Sequence, residues 1–273
     1  MFNFRLQIAT GCKFFVFKKT RMNFKELHQQ PTPLLIANVW DVPSAQAAEK
    51  LQFKALGTSS AAIAAMLGYA DGEGLSFEEL KYIVKQIANK INSPLSVDIE
   101  GGYSRNPLII ADHIQQLTSL GVVGVNLEDS VVTAGNRTLE DATLFAEKLK
   151  TIKAQLDKNQ VSVFLNIRTD TFLLKAPDLL NTTQARIRLY EEAGADGIFV
   201  PGATRTEDIA AIVQTTTLPI NVMSLPDLPG FAELQSSGVK RISMGNFGHQ
   251  YVCQQYAHTL NQILSEQSFE TIF

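Results

Sequence analysis

The sequence contains few cysteines, no long apolar segment and no excess of basic residues. Its two cysteines, Cys12 and Cys253, form neither a CxxC motif nor a zinc-binding spacing. They provide no disulfide framework, so a cytoplasmic location is expected. No apolar run approaches the roughly 20 residues that a membrane span requires, so no membrane partner is expected. A formal net charge of −3 likewise gives no electrostatic reason to expect a nucleic-acid partner.

The basic residues are unevenly distributed and cluster at the amino terminus. Residues 1–21 contain no acid and five bases, so the rest of the chain has a net charge of −8. The five are Arg5, Lys13, Lys18, Lys19 and Arg21. We expect this basic extension to be disordered or not translated, with Met22 opening a single domain, residues 22–273. A targeting presequence is a third interpretation.

Short apolar runs alternate with amphipathic segments from residue 34 onward. Eight runs are predicted as strands, at residues 34–38, 55–59, 95–100, 124–128, 161–168, 197–201, 220–223 and 241–245. Helices are predicted at residues 43–51, 76–91, 109–120, 138–156, 182–193, 206–215 and 228–236. Such alternation predicts an α/β protein with a parallel sheet covered by helices. Eight strands in 273 residues favour a closed (β/α)8 barrel of the TIM type over an open doubly wound sheet.

Three segments fall outside this alternation. Residues 62–76 form an insertion after the second strand, and residues 130–136 are predicted to form an irregular loop after the fourth. Residues 250–265 are predicted to form an extra C-terminal helix, with apolar side chains at Val252, Tyr256, Leu260 and Leu264. This helix could close the barrel or pack on a second subunit.

Acidic residues end two successive strands. Asp98 and Glu100 lie one residue apart and precede two glycines, while Glu128 and Asp129 end the next run. Functional residues of such barrels lie at the carboxyl ends of the strands, so four acids are expected to converge. Like charges this close are costly unless a cation neutralises them, and Mg²⁺ prefers carboxylate oxygens. The pattern therefore predicts a magnesium site.

Arg168 ends the fifth strand, beside the predicted metal site. Mg²⁺ can chelate a carboxylate and an adjacent keto oxygen while an arginine holds another oxygen with two hydrogen bonds. Ser59 and Ser60 follow the second strand, and their backbone N–H groups would hold a carboxylate if they line the pocket. Together these residues indicate a small anionic substrate.

Each of these assignments has a structural alternative. An acid at a strand end is often a helix N-cap, which applies to Asp41, Asp129 and Asp170. Arg168 could pair with Glu128 or Asp170 as a purely structural bridge. The histidines form no metal-binding cluster, and His28 lies in a polar segment where it is expected to face solvent.

Five ordered segments resemble the isocitrate lyase/phosphoenolpyruvate mutase superfamily, from about Met22 to the end of the chain. They are Asn38-Val-Trp-Asp-Val-Pro-Ser44, Phe53-Lys-Ala-Leu-Gly-Thr-Ser-Ser-Ala-Ala62 with Leu67-Gly68-Tyr69, Asp98-Ile-Glu-Gly-Gly-Tyr103, Asn126-Leu-Glu-Asp129 and Asn166-Ile-Arg168. The resemblance implies a barrel that binds Mg²⁺, or Mn²⁺ in its place, and an α-oxo acid. It also implies that a bond at the third carbon of that acid breaks or moves through a metal-stabilised enolate.

The resemblance also assigns roles residue by residue. It implies a metal site of Asp98, Glu100 and Glu128, with Asp71 acting through a bound water. Asp98 matches the direct ligand, and the other acids resemble those that hold metal-bound waters. Arg168 matches the arginine that stabilises the oxo or enolate oxygen. Catalytic roles are thereby implied for Arg168, Glu128 and Asp71.

The substrate-binding assignment follows in the same way. Ser59, Ser60 and Ala61 match the loop that grips the substrate carboxylate, and Asp98 and Arg168 complete the implied set. Superfamily members usually form tetramers and often exchange the last helix between subunits. A homo-oligomer, a tetramer or a dimer, is therefore expected.

The loop after the fourth strand departs from the superfamily pattern. The lyase branch carries a Lys-Cys-Gly-His loop there, and the mutase branch carries Lys and Asn, whereas residues 128–137 contain no Cys and no Lys. Cleavage of isocitrate or methylisocitrate is therefore not expected, and the sequence identifies no proton donor. Asn136 and Arg137 are candidates for contact with a substrate phosphonate or second carboxylate.

The leading hypothesis is a Mg²⁺-dependent lyase or phosphonomutase-type enzyme that cleaves a C–C or P–C bond of a small α-oxo or 2-hydroxy acid. The first alternative is an α-oxo acid binding protein on the same scaffold that performs no turnover. A second alternative is a carbon–carbon lyase similar to class II aldolases on a related barrel.

Overall fold

The computed structural model describes residues 23–273, so the predicted extension, residues 1–21, and Met22 lie outside the described residues. The strands are β1 (Leu34–Val39), β2 (Ala55–Thr58), β3 (Leu95–Asp98), β4 (Val122–Glu128), β5 (Ser130–Thr133), β6 (Asn136–Leu139), β7 (Phe164–Arg168), β8 (Gly197–Phe199), β9 (Ile220–Met223) and β10 (Arg241–Ser243). The predicted strands all overlap strands of this set, because each is a short apolar run between turn residues.

Eight of these strands close into a parallel barrel, in the order β1-β10-β9-β8-β7-β4-β3-β2. The closure joins β1 to β10, with Leu34 opposite Arg241. The remaining two strands, β5 and β6, form a separate antiparallel pair. The predicted (β/α)8 barrel is therefore confirmed.

Helices surround the barrel. They are α1 (Phe24–Leu27), α2 (Val42–Lys50), α3 (Ser60–Leu67), α4 (Phe77–Ala88), α5 (Pro107–Ser119), α6 (Ala142–Lys158), α7 (Leu179–Glu192), α8 (Thr206–Val213), α9 (Phe231–Ser236) and α10 (Phe247–Glu266), followed by a short 3₁₀ turn, Glu270–Ile272. In α4, buried Phe77, Leu80, Val84 and Ile87 recur at helical spacing. None of the helices within residues 23–273 is both long and apolar enough to cross a membrane.

Two irregular segments of the sequence contain regular structure. The predicted loop 130–136 belongs to a β-hairpin, β5–β6, whose turn residues Ala134 and Gly135 both have positive φ angles of 48° and 80°. Two such residues favour a tight hairpin turn between short strands. The insertion 62–76 begins inside α3. Short runs with mixed polarity carry too weak a periodicity to reveal these elements.

Buried side chains close the amino-terminal end of the barrel. His28 is only 3% exposed, so the expectation that it faces solvent is wrong. Its ring stacks on Phe164 at 4.3 Å between centroids, and its Nδ1 lies 2.9 Å from the carbonyl oxygen of Phe24. Burial, assisted by the positive charge of Arg241, lowers the pKa of His28 to about 3.

Asn and Arg side chains line part of the barrel interior. The Asn166 amide donates to Asn126 Oδ1 at 2.9 Å and to Asn221 Oδ1 at 3.2 Å. Arg241, 1% exposed, donates from Nη2 to the same Asn126 oxygen at 3.3 Å. Burial lowers the pKa of Arg241 to about 10, against the opposing effect of the Asp98 charge. The floor beneath the acidic strand ends is therefore positively charged.

A buried ion pair fastens β4 to the outer helices. Asp129, fully buried, accepts hydrogen bonds from Arg186 Nη1 at 2.8 Å, from the Tyr190 hydroxyl at 2.7 Å and from Thr169 Oγ1 at 2.7 Å. Arg186 also donates to the carbonyl oxygen of Glu140 at 2.7 Å. The carboxylate thus joins the end of β4 to α7 and to the segment that leads into α6.

Low pH should destabilise the protein through His28. The unfolded histidine titrates near 6.5 but the folded one near 3, so unfolding takes up a proton between these values. Stability is therefore lost as the pH falls below 6.5, by at most about 1.4 kcal/mol per pH unit from this residue. The free energy of unfolding is measured by denaturant titration for wild type and His28→Gln between pH 4 and 7. Its dependence on pH should differ between the two proteins by this contribution. Exposed His258→Gln is the control, and parallel wild-type and His28→Gln profiles would contradict the prediction.

Substitution Asp129→Asn should destabilise the fold strongly. It removes the charge that compensates buried Arg186, and breaking a buried pair costs about 3–5 kcal/mol. Asp157→Asn is the matched control, because its pair with Lys153 is solvent-exposed and should contribute less than about 1 kcal/mol. Equilibrium unfolding measures both variants. If the two lose similar, small amounts of unfolding free energy, the Asp129 pair contributes no more than the exposed pair and the prediction is wrong.

Candidate active site

Asp98 lies at the carboxyl end of β3, where hydrogen bonds fix its orientation. The Ser60 hydroxyl donates to Asp98 Oδ2 at 2.9 Å, and the Glu100 N–H donates to Oδ1 at 3.3 Å. The Asp98 N–H in turn donates to Thr58 Oγ1 at 3.0 Å. Burial raises the pKa of Asp98, and the Arg168 charge opposes that rise.

Glu100 follows in a sharp turn that directs its side chain into the protein. Its φ angle is 49°, and Gly102, with φ 97°, packs so close to Ile110 that a Cβ there would lie 2.8 Å from that side chain. The Glu100 carboxylate accepts from the Tyr103 hydroxyl at 2.8 Å and from the Glu73 N–H. Burial, followed by repulsion from Asp98, raises the pKa of Glu100 to about 7.

Glu128 and Arg168 end neighbouring strands and face each other in the register of β4 and β7. Arg168 Nη1 lies 3.0 Å from Glu128 Oε2. The same guanidinium donates two hydrogen bonds to Asp170, from Nε to Oδ1 at 2.6 Å and from Nη2 to Oδ2 at 3.1 Å. Burial raises the pKa of Glu128 to about 8 although Arg168 lowers it. For Asp170, burial raises the pKa, but the charge and hydrogen bonds of Arg168, together with Ser130 and Arg137, outweigh it, so the pKa falls below the ordinary value.

A second guanidinium reaches this group from the β5–β6 hairpin. Arg137 Nη1 contacts Glu128 Oε1, and it also lies 3.3 Å from Asp170 Oδ2 and 2.9 Å from Ser130 Oγ. Arg137 Nη2 lies 3.2 Å from Asp71 Oδ2, on the loop after α3. Asp71 therefore joins the acidic group through Arg137, not by direct hydrogen bonding to Asp98.

Helix α3 begins beside Asp98 and presents free backbone donors. Ser59 is its N-cap, and the Ser59 hydroxyl accepts from the Ala62 N–H at 3.3 Å. Among the described residues, no group accepts a hydrogen bond from the N–H of Ser60 or of Ala61. These donors, at the positive end of the helix, suit an anion.

The predicted residues converge, with one correction. Asp98, Glu100, Glu128 and Arg168 lie together, and Ser60 contacts Asp98. The expectation that Asp129 joins them is wrong, because its carboxylate binds Arg186. No three His, Cys, Asp or Glu side chains within residues 23–273 are already arranged as a metal site.

The N-cap alternatives have mixed outcomes. Asp41 is the N-cap of α2, as its position predicts, and accepts from the Ser44 N–H at 2.8 Å. Asp129 and Asp170 instead form buried ion pairs. Arg168 does bridge Glu128 and Asp170, a contact that also orients its guanidinium at the strand ends.

Sequence reasoning missed the contacts of Glu73 and Tyr103. The Glu73 carboxylate accepts from the Tyr103 N–H at 2.8 Å and pairs with Arg105 at 2.9 Å, which ties the loop after α3 to the turn after β3. A glycine pair next to an acid was the only local signal of this close packing.

Known proteins share both this sequence pattern and this fold. An uncharacterized protein of Mycobacterium tuberculosis H37Rv is 36% identical over 226 residues, which cover 82% of each chain. An oxaloacetate decarboxylase of Bradyrhizobium sp. BTAi1 is 28% identical over 78% of this chain and 73% of its own length. A crystal structure from Burkholderia cenocepacia J2315, named as a candidate phosphonomutase, superposes with a TM-score of 0.82 at 35% identity, covering 88% of this chain and 97% of the other.

The family comparison bears out the resemblance seen in the sequence motifs. The family model described as phosphoenolpyruvate phosphomutase matches residues 24–264, which include all the barrel strands and the acidic group at their ends. The chain therefore belongs to the phosphoenolpyruvate phosphomutase family.

Proposed function

We propose that this protein is a Mg²⁺-dependent enzyme that cleaves a C–C or P–C bond of a small 2-oxo or 2-hydroxy acid. Family membership makes it an enzyme of the lyase or mutase type. The observation that carries the finer proposal is the convergence of Asp98, Glu100 and Glu128 beside Arg168. The oxaloacetate decarboxylase relative, whose name describes action on a 2-oxo acid, supports the substrate class.

The acidic side chains fit a hard divalent cation. Burial raises the pKa of both Glu100 and Glu128, and the negative charge of Asp98 adds to both shifts. Glu128 Oε2 is buried, and within residues 23–273 its one charged contact is Arg168 Nη1 at 3.0 Å, which does not have hydrogen-bond geometry. Asp98, Glu100 and Glu128 would hold the ion, with Asp71 acting through a water. Bound Mg²⁺, or Mn²⁺ in its place, stabilises negative charge that develops on substrate oxygens.

The remaining residues would bind and orient the substrate. The free N–H groups of Ser60 and Ala61 would receive its carboxylate. Arg168, held in place by Asp170 and Glu128, would donate to the oxo oxygen. When the bond between the third carbon of a 2-oxo acid and its carboxylate or phosphonate breaks, the electron pair stays with that carbon and moves onto the oxo oxygen as an enolate. The carboxylate then leaves as CO2, or the phosphoryl group passes to an acceptor such as water. A preorganised guanidinium would stabilise the enolate.

Activity assays should separate turnover from simple binding. Oxaloacetate, phosphonopyruvate and 2,3-dimethylmalate are incubated with Mg²⁺ and the purified protein, and product release is followed. We expect turnover of at least one, with losses of about 100-fold or more in both Asp98→Ala and Arg168→Ala. Asp98→Ala removes a carboxylate that would hold the cation, and Arg168→Ala removes the guanidinium that would stabilise the enolate. Asp112→Asn and Arg205→Gln are matched controls that lie outside the site.

Other outcomes would favour the alternatives. Tight oxalate binding without turnover of any acid would favour a binding protein. Oxalate affinity that is insensitive to chelation would contradict the metal assignment. Cleavage of an aldol-type substrate alone would favour a reaction of the class II aldolase kind.

We also propose that α10 packs against a second copy of the chain, in a cytoplasmic dimer or tetramer. None of its 20 residues is buried, and its apolar side chains include Tyr251, Tyr256 and Leu264, which are 62%, 65% and 71% exposed. A long helix with such a face buries it against another element when one is available.

Charge on that face should disrupt assembly. Tyr256→Glu and Leu264→Glu are expected to lower the mass measured by light scattering after gel filtration, because a carboxylate cannot be buried in an apolar contact without a large cost. Leu144→Glu, at an exposed apolar position of α6, is the control. A monomeric wild type would overturn the proposed assembly.

A further inference from the structure

We propose that Arg137 determines substrate specificity by binding a second acidic group on the third carbon of the 2-oxo acid. The group is a carboxylate or a phosphonate, since both accept two parallel hydrogen bonds from a guanidinium. The inference rests on the proposed function, because it places the oxo oxygen of the substrate at Arg168.

The β5–β6 hairpin carries Arg137 over the carboxyl ends of the strands. Val132 pairs with Arg137 across the hairpin, so both side chains project from the same face. Val132 packs on Gly72, where a Cβ would lie 2.5 Å from Val132 Cγ2, and Arg137 Nη2 lies 3.2 Å from Asp71 Oδ2. That face of the hairpin therefore lies against the loop after α3, and Arg137 is the only basic residue between Ser130 and Leu139.

Two carboxylates, Glu128 and Asp170, bridge the two guanidinium groups. Arg137 Nη1 contacts Glu128 Oε1, while Arg168 Nη1 lies 3.0 Å from Oε2 of the same residue. Asp170 Oδ2 accepts from both arginines, at 3.3 Å from Arg137 and 3.1 Å from Arg168. Adjacent carbons of a substrate can therefore present an oxo oxygen to Arg168 and an acidic group to Arg137.

The two arginines differ in the donors that they keep free. Arg168 uses Nε and Nη2 on Asp170 and directs Nη1 at Glu128, so two of its five N–H groups remain for the oxo oxygen but its Nε–Nη2 fork is occupied. Arg137 Nε has no acceptor among the described residues, and its Nη2 contacts only Asp71, whose side chain is 50% exposed. Arg137 thus retains donors for an anion and is already oriented by Glu128 and Asp170. Such preorganisation lowers the entropic cost of binding.

Calorimetry with three ligands tests the assignment. Oxalate lacks a third carbon, whereas 3,3-difluorooxaloacetate carries a carboxylate on it, and phosphonopyruvate carries a phosphonate. At saturating Mg²⁺, Arg137→Gln should weaken binding of the last two by about 10- to 100-fold, because it removes a charge-assisted bidentate contact, and should change oxalate affinity less than about twofold. Arg137→Lys, which keeps the charge but not the fork, should give an intermediate loss.

The control variant is Arg205→Gln, which removes an exposed arginine outside the site and should leave all affinities unchanged. Equal losses for oxalate and for the longer acids would overturn the assignment, since Arg137 would then act on the whole site. Unchanged affinity for both longer acids would also overturn it.

The result also separates this inference from the proposed function. If Arg137→Gln weakens binding of the two longer acids selectively but wild type turns over none of the acids, the specificity assignment is supported and the enzymatic one is contradicted. If turnover requires Asp98 but Arg137→Gln shows no selective loss of affinity, the enzymatic assignment is supported and the specificity assignment is contradicted. The wild-type preference between the carboxylate and the phosphonate identifies which acidic group the arginine receives.

Discussion

The ion pair between Glu128 and Arg168 is the contact on which the rest of the site depends. Both residues end barrel strands, and the register of β4 against β7 sets them opposite each other. A buried carboxylate or guanidinium alone would carry a desolvation penalty of several kcal/mol. Their pairing offsets part of this penalty at the barrel mouth, and Asp170 fixes the orientation of the arginine.

Charge balance explains how five acidic side chains can share one end of the barrel: Asp71, Asp98, Glu100, Glu128 and Asp170. Arg168 and Arg137 contact different oxygens of the Glu128 carboxylate. Arg241 adds positive charge from the barrel interior beneath Asp98. The compensation is incomplete at Asp98 and Glu100: burial raises the pKa of both, and repulsion from Asp98 raises that of Glu100 further. An excess of negative charge thus remains at Asp98 and Glu100, where a divalent cation would be stabilised.

Most of the barrel could be predicted because each strand is an apolar run bounded by turn residues, a signal that is local in the sequence. The side chains of Asp98, Glu100, Glu128 and Arg168 were identified from their places at strand ends. The different roles of adjacent residues were harder to predict. Glu128 faces the barrel mouth, while Asp129 binds Arg186, which lies on a helix 57 residues later in the chain. The hairpin that carries Arg137 was also missed, since two four-residue strands leave little periodicity.

The sequence by itself determined the alternation of strands and helices, the family and the positions of the acids along the chain. Only the tertiary structure decided which acids meet a guanidinium, because ion pairing depends on strand register and on side-chain direction, and neither is encoded at a single position. The same applies to His28: Gln29 and Gln30 follow it in the chain, but the stacked ring of Phe164, 136 residues away, removes it from water.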